Sequence, residues 1–266
     1  MKKLNAQIIA TIGPSSANSE KLYEMILSGM DLARLNFGWG NIEEHQKHIN
    51  MLHEAEEKAA KKIPIIVDLP GPRIQKKSGH TYNKDETVLL TAEDEKYIEF
   101  GIKNSIKYFA LSYVGNKNDV LSCRNLIERL GGQQPIIAKI ERQKALENLD
   151  EIVEASDAIM IARGDLGEEV AIETIPFIQE EIIQKAKGAG KPVITATQMM
   201  LSMTEHPIPT RAEVTDVSHA ILQGSDAVML SDETASGKYP TESVAIMKRI
   251  VTESEKHLLN NNPNQL

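Results

Sequence analysis

Eight short apolar runs, each followed by a stretch with amphipathic helical spacing, constrain the fold of this chain more than any other feature. They are Gln7 to Ile12, Asp31 to Phe37, Pro64 to Leu69, Lys107 to Tyr113, Pro135 to Ile140, Ala158 to Ala162, Pro192 to Ala196 and Ala227 to Leu230. Short runs rich in Ile, Val and Leu read as strands buried on both faces. Between them, Asn18, Thr91 and Thr210 each offer a side-chain oxygen able to cap the first turn of a helix. Right-handed βα units repeated eight times close naturally into an α/β (β/α)8 TIM barrel. An open doubly wound sheet is the competing architecture, and strand count alone does not exclude it.

The length, 266 residues with 41% hydrophobic content, suits one barrel domain. Thirty Lys and Arg against 38 Asp and Glu give a net charge of −8, without the basic footprint of a nucleic-acid binder. A single Cys123 excludes an internal disulfide framework, and no apolar run approaches the ~18 residues of a membrane span. An apolar strand follows Met1-Lys-Lys-Leu-Asn almost at once, in place of a signal peptide, so a cytoplasmic protein without membrane or nucleic-acid partners is expected.

Two segments break the rhythm. Residues 71–90, with Lys76, Lys77, Ser78, Gly79, His80 and Asn83, are longer than the usual βα loop and read as an active-site loop or small excursion. A last helix is expected from about Thr241 to Leu258. The barrel then takes residues 1–259, and the polar tract 260–266 is expected to be a disordered tail.

Barrel active sites lie at the carboxyl ends of the strands. The fifth and sixth runs lead into Ile137-Ala-Lys139-Ile-Glu141 and Ile161-Ala-Arg163-Gly-Asp165-Leu-Gly167. Residues two apart on a strand share a side, which pairs Lys139 with Glu141 and Arg163 with Asp165. Parallel neighbours about 4.8 Å apart let Glu141 and Asp165 share one ion. Magnesium suits this, because it takes one or two carboxylates and fills its other positions with water and substrate oxygens. The remaining ends add Arg34, Asn36, Asp68, Thr195, Thr197, Ser231 and Glu233. Gly164 and Asp165, with Gly167, can open a short helix whose free N–H groups bind a carboxylate. Singly, Arg34 reads as a solvated charge, Thr197 and Ser231 as caps, and Asp68 as a turn residue. Jointly they describe a divalent-metal site for an anion.

Thr11-Ile-Gly-Pro14, Arg34-Leu-Asn-Phe37, Lys139-Ile-Glu141, Ala162-Arg-Gly-Asp-Leu-Gly167, Ile194-Thr-Ala-Thr-Gln-Met199, Pro209-Thr-Arg-Ala-Glu213 and Asp226-Ala-Val-Met-Leu-Ser231 resemble, in order, the signatures of the pyruvate kinase family. The resemblance implies that Glu141 and Asp165 hold Mg²⁺ or Mn²⁺, which chelates pyruvate or its enolate. It implies Lys139 at the transferring phosphoryl group or enolate oxygen, and Arg34 at the phosphoryl group. The amides of Gly164 and Asp165 would bind the substrate carboxylate, and Thr197 would lie near the carbon that is protonated. Arg163, Ser231 and Glu233 are supporting residues. Exposed barrel helices commonly pair in the family, so a homo-oligomer is compatible with the resemblance.

The departures are specific. The family inserts a lid domain after the third strand, where residues 71–90 leave space only for a loop. It also carries a regulatory domain after the barrel, whereas this sequence stops just past the eighth helix, so no effector site of that kind is expected. Where the family reads Asn-Phe-Ser-His-Gly, this chain reads Asn36-Phe-Gly38-Trp39-Gly40, without a hydroxyl ligand of the monovalent-cation site. That puts K⁺ in question. The family's Asp-Thr-Lys-Gly-Pro-Glu-Ile-Arg resembles Asp68-Leu-Pro-Gly-Pro-Arg73-Ile-Gln75. Neutral Gln75 replaces an arginine that contacts phosphoryl oxygens, and Arg73 stands where most members carry Glu. A guanidinium at Arg73, with Asp68 as partner, is expected to replace the ion.

Two enzymatic functions compete, the first implied by the resemblance and the second by the residues retained without a lid. One is phosphoryl transfer between phosphoenolpyruvate and ADP, or from ATP in reverse. The other keeps only the enolate chemistry, as a 2-oxo-acid decarboxylase or aldolase that needs no nucleotide lid. A non-enzymatic metabolite-binding protein is the third reading, and the retained metal ligands argue against it.

Overall fold

The computed structural model describes residues 5–75, 80–82 and 89–261. Its barrel strands are β1 (Gln7–Thr11), β2 (Leu32–Asn36), β3 (Ile65–Leu69), β4 (Tyr108–Leu111), β5 (Ile136–Ile140), β6 (Ala158–Ala162), β7 (Val193–Ala196) and β8 (Ala227–Leu230). They pair in the cyclic order β1-β8-β7-β6-β5-β4-β3-β2 and close into a parallel (β/α)8 barrel. Closure removes the open sheet as an alternative, since a doubly wound sheet keeps two edges. Each strand lies within two residues of its apolar run.

The local causes are legible in the chain. β3, β5 and β6 are buried along their whole length, which is why they carry no polar alternation. Asn18 caps the helix Ser19–Ser28 by accepting from the amides of Glu20 and Lys21, and Gly29 ends it with φ 116°. Thr91 with Asp94, and Thr210 with Glu213, form capping boxes that start the helices Ala92–Lys103 and Arg211–Gln223. The helix Lys117–Arg129 buries Val120, Cys123, Leu126 and Ile127 in one stripe. Burial there pushes the Cys123 thiol up to about 12, so this cysteine is packing material and not a reactive group.

The chain divides into two compact units. One comprises residues 1–34, 46–64 and 192–266. In it Thr11 registers with Arg34, Gln7 with Ala227, and Ala227 with Ile194. The other comprises residues 35–45 and 65–191. Here Asp68 registers with Ala110, Phe109 with Ile136, and Lys139 with Met160.

The long segment after β3 contains a small antiparallel hairpin, Arg73–Gln75 with His80–Tyr82. Lys76 to Gly79 and Asn83 lie outside the described residues. The final helix runs Pro240–Asn261, past the expected end at Leu258, and residues 262–266 of the predicted tail lie outside the described residues. Among the described residues no helix is long and apolar enough to cross a membrane.

Candidate active site

At the end of β5, Lys139 and Glu141 project to the same side, and Lys139 Nζ lies 2.8 Å from Glu141 Oε1. The same ammonium donates to Ser112 Oγ at 2.8 Å and to Asp68 Oδ1 at 3.0 Å. Register explains this meeting. Asp68 on β3 faces Ala110 on β4, and Ser112, two residues beyond Ala110, points the same way and reaches Asp68 Oδ1 at 3.3 Å. Glu141 Oε2 accepts the Tyr113 amide at 2.7 Å. All four side chains are buried, with exposures of 1–7%. Such a charge cluster is tolerated only because each member is hydrogen-bonded to another.

Burial pushes the Glu141 carboxyl up, and the Asp165 charge adds to this against the opposing pull of Lys139. Burial, with the Glu141 and Asp165 charges, likewise raises the Tyr113 hydroxyl. Glu141 and Asp165 are thus close enough to repel one another, a repulsion that a divalent cation between them would relieve. Each carboxylate oxygen has two lone pairs, so Glu141 retains acceptor capacity beyond its contacts with Lys139 and Tyr113. Among the described residues no group of three His, Cys, Asp or Glu side chains converges on one point. Two carboxylates completed by water and substrate oxygens remain a fit for magnesium.

Arg163 and Asp165 are placed differently from the strand-end expectation. β6 stops at Ala162 and passes directly into the helix Arg163–Glu169. At about 100° per residue, two helical positions point in nearly opposite directions. Arg163 Nη1 donates to Gln179 Oε1, in the helix Ile175–Gly188, at 3.3 Å. Gly164 and Asp165 occupy the first turn, as the short-helix expectation required.

The corner after β2 is built around a missing side chain. Asn36 Oδ1 accepts the Gly38 amide at 3.0 Å. A Cβ on Gly38 would collide with Arg73 Nη1 and come within 3.1 Å of the guanidinium carbon and of Asn36 Oδ1. Arg73 lies with its guanidinium carbon 5.1 Å from the centre of the Trp39 ring. The Trp39 carbonyl is 2.9 Å from His45 Nε2, and the His45 ring stacks on Phe37 at 4.0 Å. The cation therefore occupies space that a serine side chain would need.

In the other unit Arg34 is 7% exposed, not a solvated charge. Its Nη1 donates to Thr11 Oγ1 at 3.1 Å, which in turn donates to the Leu230 carbonyl at 2.9 Å. Thr197 leaves β7 with φ 69°, and Gln198 follows with φ 54°. A left-handed conformation costs roughly 1–2 kcal/mol per residue for L-amino acids, and a β-branched threonine adopts it rarely. Glu233 Oε1 accepts the Met200 amide at 2.9 Å and its Oε2 the Ser231 amide at 2.7 Å. Burial raises the Glu233 carboxyl, against the opposing pull of these amides. Ser231 Oγ is buried with no hydrogen-bond partner among the described residues. Sequence reasoning missed Thr11, Ser112 and the Tyr113 amide. The last two stand at the exit of the fourth run, Leu111-Ser112-Tyr113, and reading every strand end would have found them.

The family model described as pyruvate kinase, barrel domain, matches residues 3–92 and 84–244. The chain is 37% identical to pyruvate kinase of Thermococcus litoralis over 94% of its length and 70% of that protein. It is 36% identical to pyruvate kinase of Bacillus licheniformis over 95% of its length and 57% of the relative. With pyruvate kinase of Thermotoga maritima the identity is 33%, over 96% and 72%. The chain belongs to the pyruvate kinase family. Within that kinase family, and hence among transferases, it is internally short. The Thermococcus alignment takes 331 positions, while 94% of 266 residues is about 250, so about 80 positions of the pyruvate kinase pattern have no counterpart here. The family match falls into two segments that meet, with overlap, at residues 84–92, at the end of the segment 71–90 where the lid was expected to be missing.

Proposed function

We propose that this chain transfers a phosphoryl group between phosphoenolpyruvate and a nucleoside diphosphate, through the enolate of pyruvate. The observation that carries this reading is the buried Lys139 ammonium, held by Asp68, Ser112 and Glu141 at the end of β5. A cation fixed in a low-dielectric site stabilises negative charge as it develops on the enolate or the transferring phosphoryl oxygens, without reorganising first. Glu141 and Asp165 would hold Mg²⁺ or Mn²⁺, which when bound supplies Lewis-acid polarisation of the substrate oxygens. The first-turn amides at Gly164 and Asp165 are assigned to the substrate carboxylate. On the family pattern Arg34 is assigned to the phosphoryl group and Thr197 to the carbon that gains the proton.

Arg73 is assigned the role of a resident monovalent cation. The close approach that a Cβ at Gly38 would make supports this, because the guanidinium stands in the space that the family's serine would take and would have to move to admit it. Activity without added K⁺ is the expected consequence.

The test is proton exchange at the methyl group of pyruvate in heavy water, with Mg²⁺ and with or without ATP. Exchange that requires ATP and is lost in Glu141→Ala is expected. Exchange without nucleotide would replace this reading with a 2-oxo-acid lyase, and absence of exchange under both conditions would remove pyruvate as the substrate.

A further inference from the structure

Two carboxylates grip the segment that follows β7, from opposite environments. Glu213 is partly exposed and accepts from the Ser202 amide at 2.7 Å, the Ser202 hydroxyl at 2.5 Å and the Thr210 amide at 2.7 Å. Glu233 is 1% exposed and ties two backbone positions, Met200 at 2.9 Å and Ser231 at 2.7 Å. The first grip closes the outer loop around a helix cap. The second joins the exit of β7 to the exit of β8.

Between β7 and Met200 lie Thr197 and Gln198, two consecutive left-handed residues. The Thr197 hydroxyl donates to the carbonyl of Ala196, its own neighbour in the chain, at 2.6 Å. A conformation of this kind persists when surrounding structure over-determines it. The Met200 amide, two residues past Gln198, is where Glu233 takes hold. Its other oxygen fixes the backbone of Ser231, whose hydroxyl is buried and without a partner among the described residues.

We infer that Glu233 is a positioning residue: its carboxylate sets the strained Thr197 corner and the Ser231 hydroxyl in a fixed relation at the ends of β7 and β8. The inference rests on the reading of Thr197 as the residue beside the carbon that is protonated. Both oxygens of a carboxylate accept, so both amides are satisfied. A glutamine can satisfy only one and turns an N–H donor toward the other. Glu233→Gln therefore keeps the shape and breaks one arm.

The experiment compares wild type, Glu233→Gln and Glu213→Gln in methyl proton exchange and in amide hydrogen exchange over residues 196–203. Glu233→Gln is expected to lower kcat by about 10- to 100-fold with KM within about threefold, the pattern of a lost transition-state arrangement. Amide exchange over 196–203 should rise by about tenfold in that variant. Glu213→Gln should lower the melting temperature and leave kcat unchanged. Thr197→Ala should add less than about twofold on top of Glu233→Gln, far below its effect alone, because the two act as one unit. A folded Glu233→Gln protein with wild-type kcat, or a full Thr197→Ala loss in that background, overturns the inference. If Glu233→Gln does not fold, Glu233→Asp, shorter by one methylene, enters the same comparison with the same expected and overturning results. If wild type exchanges no pyruvate protons, the functional reading fails, and the amide exchange alone decides: unchanged protection over 196–203 overturns the clamp.

Discussion

The ends of β5 and β2 fix a cation in two different ways. At β5 the Lys139 ammonium is enclosed by Asp68, Ser112 and Glu141, and every partner is itself buried. At β2 the guanidinium of Arg73 is admitted by an absence, the missing Cβ of Gly38, and flanked by the Trp39 ring. The first arrangement is closed: its charges are ion-paired with one another in a low dielectric, so removing one takes a buried partner from the others. The second is open to exchange, because its cation arrives on a flexible side chain from another segment. On the proposed function, catalysis rests on the first arrangement, and the second decides whether an external ion is needed.

Lys139→Met tests the closed arrangement and should have the largest effect. Loss of one fixed donor to developing charge is worth about 10² to 10³ in kcat. Stability should also fall by about 3–5 kcal/mol at neutral pH, since Asp68 and Glu141 are left without their cation. The Glu141 carboxyl is already raised by burial and by Asp165, with Lys139 opposing. Without Lys139 it rises further. A carboxyl whose folded pKa lies above its unfolded value stabilises fully below the unfolded value, and that stability is lost as pH rises through the folded pKa. The melting difference between variant and wild type should therefore shrink as pH falls into the ordinary carboxylate range. A difference that does not vary with pH would show that the cluster is not closed in this sense.

The same contrast explains how much could be read from the chain. Lys139, Glu141, Asp68 and Arg34 announce themselves as charged residues at the ends of apolar runs, and periodicity located the eight strands and the caps at Asn18, Thr91 and Thr210. Ser112 gives no such signal by composition, because serines are common at loop starts and only the Asp68–Ala110 register shows that this one meets Lys139. Strand alternation does not describe Arg163 and Asp165, because a helix takes over directly after Ala162 without a linking loop. The Thr197 corner depends on backbone dihedrals, and the Glu233 tie joins residues 33 apart, neither of which a local pattern encodes.

Arg73→Glu tests the open arrangement. It should lower kcat in K⁺-free buffer by about 10²-fold, the scale of one lost fixed charge. Adding Gly38→Ser to it rebuilds the pair found in most of the family, and K⁺ should then restore activity. Wild-type rates for Arg73→Glu without K⁺ would show that this guanidinium does not stand in for an ion.

Glycine substitutions sharpen the difference between room bounded by backbone and room bounded by a side-chain end. A Cβ on Gly13 would lie 2.7 Å from the Ala235 carbonyl oxygen and 2.9 Å from its Cα and Cβ, atoms that cannot step aside. Gly13→Ala should cost about 1–3 kcal/mol in thermal or denaturant unfolding. Gly38→Ala meets the end of the Arg73 side chain and should cost less than Gly13→Ala, with its effect appearing in kcat. Equal costs at the two glycines would mean that the end of the Arg73 side chain yields no more readily than the Ala235 backbone.

The smallest effect belongs to Glu213, the partly exposed counterpart of the buried carboxylates. Desolvation works to raise its carboxyl, but the hydrogen bonds from Ser202 and Thr210 together outweigh it and hold the group below the usual carboxylate range. A carboxyl whose folded pKa is depressed gives stability that is present above the unfolded value and is lost as pH falls through the folded pKa. Acid should therefore weaken the loop that Glu213 closes, the reverse of the trend expected at Glu141. Glu213→Gln should flatten that acid limb while costing no more than about 1 kcal/mol at neutral pH, the scale of a helix cap. Melting temperatures of the two proteins, taken from neutral pH downward, should converge. If they stay parallel, the ties from Ser202 and Thr210 do not need the charge, and the contrast between exposed and buried carboxylates in this chain reduces to burial alone.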